Sequence, residues 1–89
     1  MEQEYETGRT IGTITGTRDA NLLVPPYPQV NGTEMYQIGF RNGYLIGYTQ
    51  GLAIKLRAGA NSEIQKIIAN RLDEVSNCIN LENQKQKQK

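Results

Sequence analysis

The sequence predicts a mainly α protein: an antiparallel helical hairpin, residues 33–57 and 62–81, behind an extended or short-stranded N-terminal arm, residues 1–32. Two observations carry this. Residues 36–55 repeat a large apolar residue and a glycine every four positions, and residues 64–79 place apolar side chains at steps of three and four. Both are helix periods, because four residues advance an α-helix only about 40° past one turn.

The arm reads differently. Gly8-Arg-Thr-Ile-Gly-Thr-Ile-Thr-Gly-Thr-Arg-Asp19 is rich in β-branched residues and glycine, which favour extended or irregular backbone over helix. Pro25-Pro26-Tyr27-Pro28 then forbids a helix and imposes extended or polyproline geometry. Asn31 with Glu34 fits a capping box at the start of the next element, with Thr33 as a second candidate N-cap. The helix it opens runs to about Arg57, where Lys55 and Arg57 complement the C-terminal dipole. Gly59 is the natural left-handed stop.

Ser62 opens the following helix, with Gln65 completing an S-x-x-Q box. Its apolar face is Ile64, Ile67, Ile68, Leu72, Val75, Cys78 and Ile79, and it is expected to end near Leu81. The short connection makes the two helices a hairpin spanning 33–81. Residues 82–89, all Asn, Gln, Glu or Lys, have no core to join and are expected to be a disordered tail.

The chain's strongest motif lies in the first of these helices. Tyr36-Gln-Ile-Gly39, Phe40-Arg-Asn-Gly43, Tyr44-Leu-Ile-Gly47 and Tyr48-Thr-Gln-Gly51 each open on an aromatic and close on glycine. Four interior glycines destabilise an isolated helix by roughly 4 kcal/mol, so a folded-state contact must offset them. Close approach of another helix backbone does this. Gly39, Gly43, Gly47 and Gly51, walled by Tyr36, Phe40, Tyr44 and Tyr48, are therefore the candidate helix-packing interface. The partner helix is either the second helix of the same chain or one from another copy or protein. The flank of Gln37, Arg41, Thr49 and Ala53, interrupted by Leu45, is expected to face solvent.

This run resembles the Gly-x-x-x helices of iron–sulfur adaptor proteins and of the flagellar export stator protein. The resemblance covers about 20 residues and implies protein–protein association through Gly39, Gly43, Gly47 and Gly51. The chain has no tryptophan, so it lacks the adaptors' C-terminal one.

Composition narrows the function. A chain of 89 residues forms one domain with a marginal core. One cysteine and no histidine leave neither an internal disulfide nor zinc spacing, so self-association is the stabiliser that remains. The expectations are no metal, no cofactor and no catalytic residue, since without histidine a general base would have to be a carboxylate or an unusual lysine. A net charge of +1 gives no footprint for nucleic acid. Arg41 amid an otherwise uncharged, glycine-rich stretch argues against a membrane span, and the acidic start MEQEYET against a signal peptide, leaving a cytoplasmic protein. The reading is a non-enzymatic adaptor or inhibitor, a homo-oligomer that binds another protein. The alternative is an oligomeric nucleotide-binding or sequestering protein, with Arg18, Asp19 and Arg41 as ligand-binding residues beside Tyr44 and Tyr48.

Overall fold

The computed structural model describes the backbone of residues 2–87 and the side chains of residues 3–80. It is mainly helical: α1 (Glu2–Asn21), α2 (Glu34–Arg57) and α3 (Ser62–Lys87), with no strand among the described residues.

The expectation of an extended arm over 1–32 is corrected. Its first part is the helix α1, and only the segment after Leu23 is extended. The β-branched content that argued for a strand is accommodated locally. Thr13 and Thr15 donate to the carbonyls of Arg9 and Ile11 one turn back, each at 2.8 Å, so the hydroxyls are satisfied inside the helix. Gly8, Gly12 and Gly16, with Ala20 at the next step, form a smooth strip along α1 that lies against α2. Tertiary packing overrides the weak local preference.

The two glycine strips meet in register. Gly8, Gly12 and Gly16 face the backbone of Tyr36, Phe40 and Tyr44, in that order. Gly39, Gly43 and Gly47 face Tyr5, Arg9 and Thr13, and Gly51 faces Thr17 and Ala20. Both numberings rise together, so α1 and α2 are parallel. A parallel pair needs a return path as long as the helix itself. The 20 residues of α1 span about 30 Å at the α-helical rise. The twelve connecting residues, 22–33, reach about 37 Å in polyproline geometry. Pro25, Pro26 and Pro28 keep that strap extended where a more compact connection would fall short.

At the start of α2, Thr33 is the N-cap, its hydroxyl oxygen accepting from the Tyr36 N–H at 3.3 Å. Gly59, with φ +100°, takes the left-handed position after the helix. The cap of α3 is Asn61, whose Oδ1 accepts from the Ile64 N–H at 2.9 Å. Gln65 reaches instead to the Ala60 carbonyl, so the Ser62–Gln65 box is corrected. Helix α3 continues past Leu81 to Lys87, through Glu, Gln and Lys, which cost a helix little. That corrects the disordered tail for residues 82–87, whereas residues 88 and 89 lie outside the described residues.

The core sits on one side of the α1–α2 pair. Phe40, Tyr44, Tyr48 and Leu52 of α2 are buried with Ala20 of α1 and with Ile68 and Val75 of α3. Leu23 and Val30 of the strap pack against this cluster. Toward its far end α3 returns to α2, where Ile79 shares a surface hollow with Leu45, Ile46 and Thr49.

Candidate functional site

The glycine groove is a backbone-to-backbone contact. A Cβ added at Gly12 would fall within van der Waals contact of the Phe40 carbonyl oxygen and lie 2.9 Å from the Tyr44 nitrogen. At Gly43 it would strike the Arg9 carbonyl oxygen and lie 2.9 Å from the carbon behind it. Real Cβ atoms do not come so close. At Gly8, Gly12, Gly16, Gly39, Gly43 and Gly47 a Cα–H thus points at a carbonyl of the facing helix, a weak hydrogen bond repeated along both strips. Near its end, the Thr17 hydroxyl donates across the pair to the Gly47 carbonyl at 3.3 Å. The partner helix of Gly39, Gly43, Gly47 and Gly51 is therefore α1, a segment the sequence reading took for a non-helical arm. The signal that could have found it is the spacing of Gly8, Gly12, Gly16 and Ala20, which repeats every four residues as the α2 strip does.

The aromatic column faces the strap. Tyr36, Phe40, Tyr44 and Tyr48 stack with successive ring centroids 6.5, 5.9 and 5.8 Å apart. Their hydroxyls tie down the chain that crosses them. The Tyr48 hydroxyl donates to the Val24 carbonyl at 2.6 Å. The Tyr44 hydroxyl donates to Asp19 Oδ2 at 2.6 Å and accepts from the Tyr27 N–H at 3.0 Å. Arg71 closes the strap from the α3 side, its Nε–H donating to the Leu23 carbonyl at 2.8 Å and its Nη1 to Glu74 Oε1 at 2.7 Å. Leu23 itself holds φ +58°, a left-handed conformation uncommon for leucine, where the chain turns from α1 into the strap.

Within one chain the residues suggested for nucleotide binding are not brought together. Tyr44 and Tyr48 are fully buried and offer no ring face to a base. Asp19 is turned toward Tyr44, whereas Arg18, 3.3 Å from Asp19 Oδ1, has a side chain that remains largely exposed. Arg41 lies on the opposite flank of α2, near enough to Cys78 to lower its thiol pKa, although burial dominates and pushes that pKa up. The flank expected in solvent is half-buried at Arg41 and Leu45. No cluster of metal-binding side chains occurs among the described residues.

What α1 and α2 leave uncovered is the other side of their seam. Ile38, Ile46 and Ile54 step along α2 every eight residues and are exposed, as is Ile14 of α1. Ile14, Arg18, Ile54 and Lys55 line one hollow at the C-terminal end of the seam. Tyr5, Arg9, Asn42 and Ile46 line another toward its start, where the Asn42 amide donates to the Tyr5 hydroxyl at 3.1 Å. These isoleucines flank the glycine groove on its open side. No helix among the described residues is long and apolar enough to cross a membrane. No family model, curated protein or solved structure matches the chain.

Proposed function

We propose that this chain is a non-enzymatic interaction module that self-associates through the open isoleucine side of the α1–α2 seam and also binds a partner protein. One observation carries the reading. Among the described residues twelve large hydrophobic side chains are exposed, against seven hydrophobic residues in the buried core. Scattered exposed apolar residues are ordinary on any surface. Here Ile14 and Ile54 share one hollow of the seam, Ile46 lines the other and Ile38 is exposed on the same step of α2, and apolar side chains gathered along one seam mark an interaction surface.

The reading keeps the idea of a glycine-mediated helical unit that the resemblance implies, with a changed division of labour. The glycines bind α1 to α2 inside the chain, and the flank they create meets the outside. A non-enzymatic role is supported by the chemistry available. The chain has no histidine to act as a general base, and burial raises the pKa of its one thiol, Cys78, away from the thiolate a nucleophile needs.

Light scattering at micromolar concentration tests this directly. The wild type is expected above the chain mass of 10.0 kDa. Ile46→Glu, which places a charge in the middle of the patch, is expected at the chain mass with its helical circular dichroism intact. A wild type that scatters as a single chain, or an Ile46→Glu protein that associates normally, contradicts it.

A further inference from the structure

We infer that the occupant of this face is a second copy of the chain, docked antiparallel about a two-fold axis. The inference rests on reading the isoleucine face as an interface. Its own evidence is the distribution of charge along the seam. On α2 the step of four that carries Ile38, Ile46 and Ile54 begins at Glu34, and Lys55 stands beside its last isoleucine. On α1 the step that carries Ile14 runs through Glu6 and ends at Arg18. Because α1 and α2 are parallel, Glu6 and Glu34 lie at one end of the face, and Arg18 and Lys55 lie together at the other.

Such a face repels or mismatches itself when two copies point the same way. When they point opposite ways, each acidic end meets a basic end and the two copies of Ile46 meet near the middle. An isologous two-fold contact requires this kind of self-complementarity. Acids at helix starts and bases at helix ends also complement each helix's own dipole. The dipole accounts for their place along the axis, but not for their sharing a face with the exposed isoleucines. Of the cations in the acidic half, Arg41 lies on the opposite flank of α2, and Arg9, which lines the hollow beside Ile46, is outnumbered there by Glu6 and Glu34. The charges of the face therefore select orientation, while the apolar centre supplies adhesion.

A charge-reversal exchange tests the arrangement. Glu6→Lys with Glu34→Lys makes a face with two basic ends, and Arg18→Glu with Lys55→Glu makes one with two acidic ends. The wild type is expected to scatter as a dimer, at twice the chain mass of 10.0 kDa. Each reversed variant alone is expected at the single-chain mass, at least tenfold weaker in self-association. An equimolar mixture of the two is expected to return to the dimer mass, with one chain of each kind by native mass spectrometry. Circular dichroism confirms folding, and the single reversals Glu34→Lys and Lys55→Glu repeat the exchange if a double variant unfolds. If the mixture stays monomeric while Ile46→Glu also dissociates the wild type, the face is the interface but the antiparallel arrangement is wrong. If the wild type itself is monomeric, this inference and the reading beneath it both fall. Variants that dimerise regardless of charge overturn the inference as well.

Discussion

Gly43→Leu and Gly12→Leu are expected to abolish the folded state, and Gly→Ala at either position to lower its stability. The alanine variants are the informative ones, because two effects of opposite sign compete. In an exposed helix, alanine in place of glycine gains roughly 1 kcal/mol of helix propensity. In the seam the added methyl enters the space of a backbone carbonyl on the facing helix, Arg9 for Gly43 and Phe40 for Gly12. Backbone cannot rotate out of the way as a flexible side chain can, so the helices must separate along their length. Overpacking of this kind costs up to about 3 kcal/mol. The net expectation is a loss of up to about 2 kcal/mol, at roughly 4–8 °C in melting temperature per kcal/mol for a domain this small. Gly51→Ala should be milder. There the new methyl meets the Ala20 Cβ at 2.8 Å, and the nearest backbone atom is 3.3 Å away. Thr49→Ala, on an exposed side chain, is the control. Thermal melts that rank Gly43→Ala above the wild type would show that the strips are not in contact.

Removing the Tyr44 ring should cost about 3–5 kcal/mol, as for other buried aromatics, and Tyr44→Phe about 1–3 kcal/mol. The phenylalanine variant keeps the stack and deletes one oxygen. That oxygen holds α1 through Asp19 and the strap through the Tyr27 N–H at the same time. Its loss leaves a part-buried N–H without its acceptor and Asp19 Oδ2 without its donor. The same hydroxyls make the fold sensitive to alkali. Burial, then the hydrogen bond to Asp19, raises the Tyr44 pKa far above its ordinary 10.0, and burial pushes Tyr48 up to about 12. The folded state thus holds protons that the unfolded chain releases near pH 10. Its stabilising share is fully present below that pH and is lost as pH rises toward and through the folded values. Denaturation midpoints should be level to about pH 9 and fall steadily from pH 10 to 12, less steeply in Tyr44→Phe. Midpoints independent of pH over that range would place these hydroxyls in solvent.

The element the sequence states most clearly, α2, is the one whose pattern has a single period. An aromatic and a glycine recurring every four residues fit no strand, and Thr33 and Gly59 mark its ends by side-chain and backbone chemistry that is local. Helix α1 was hidden because its two signals conflict. Its threonines and isoleucines favour extended backbone, and only the matching strip on α2 makes its glycines an asset. A helix stabilised by a partner 30 residues away leaves little trace in its own propensities. The parallel arrangement was likewise implicit. Pro25, Pro26 and Pro28 were legible as an extended segment, yet the reason for one, a return path along the full length of α1, exists only once α1 is a helix. The roles of Tyr44 and Tyr48 in clasping the strap were out of reach, since their partners include backbone groups of Val24 and Tyr27 that no residue pattern records. The choice of Asn61 over Ser62 as the cap of α3 turned on one residue of register.

The central claim is that α1 lies parallel to α2 within one chain, glycine strip against glycine strip. Nuclear Overhauser contacts from the Gly12 Hα protons test it most directly, recorded on labelled protein and on an isotope-mixed sample that separates contacts within a chain from those between chains. The account predicts strong contacts from Gly12 to the Tyr44 amide proton, and from Gly8 to the Phe40 amide proton, all within the chain. Contacts that run in the opposite order along α2, that arise only between chains, or that are absent would contradict it.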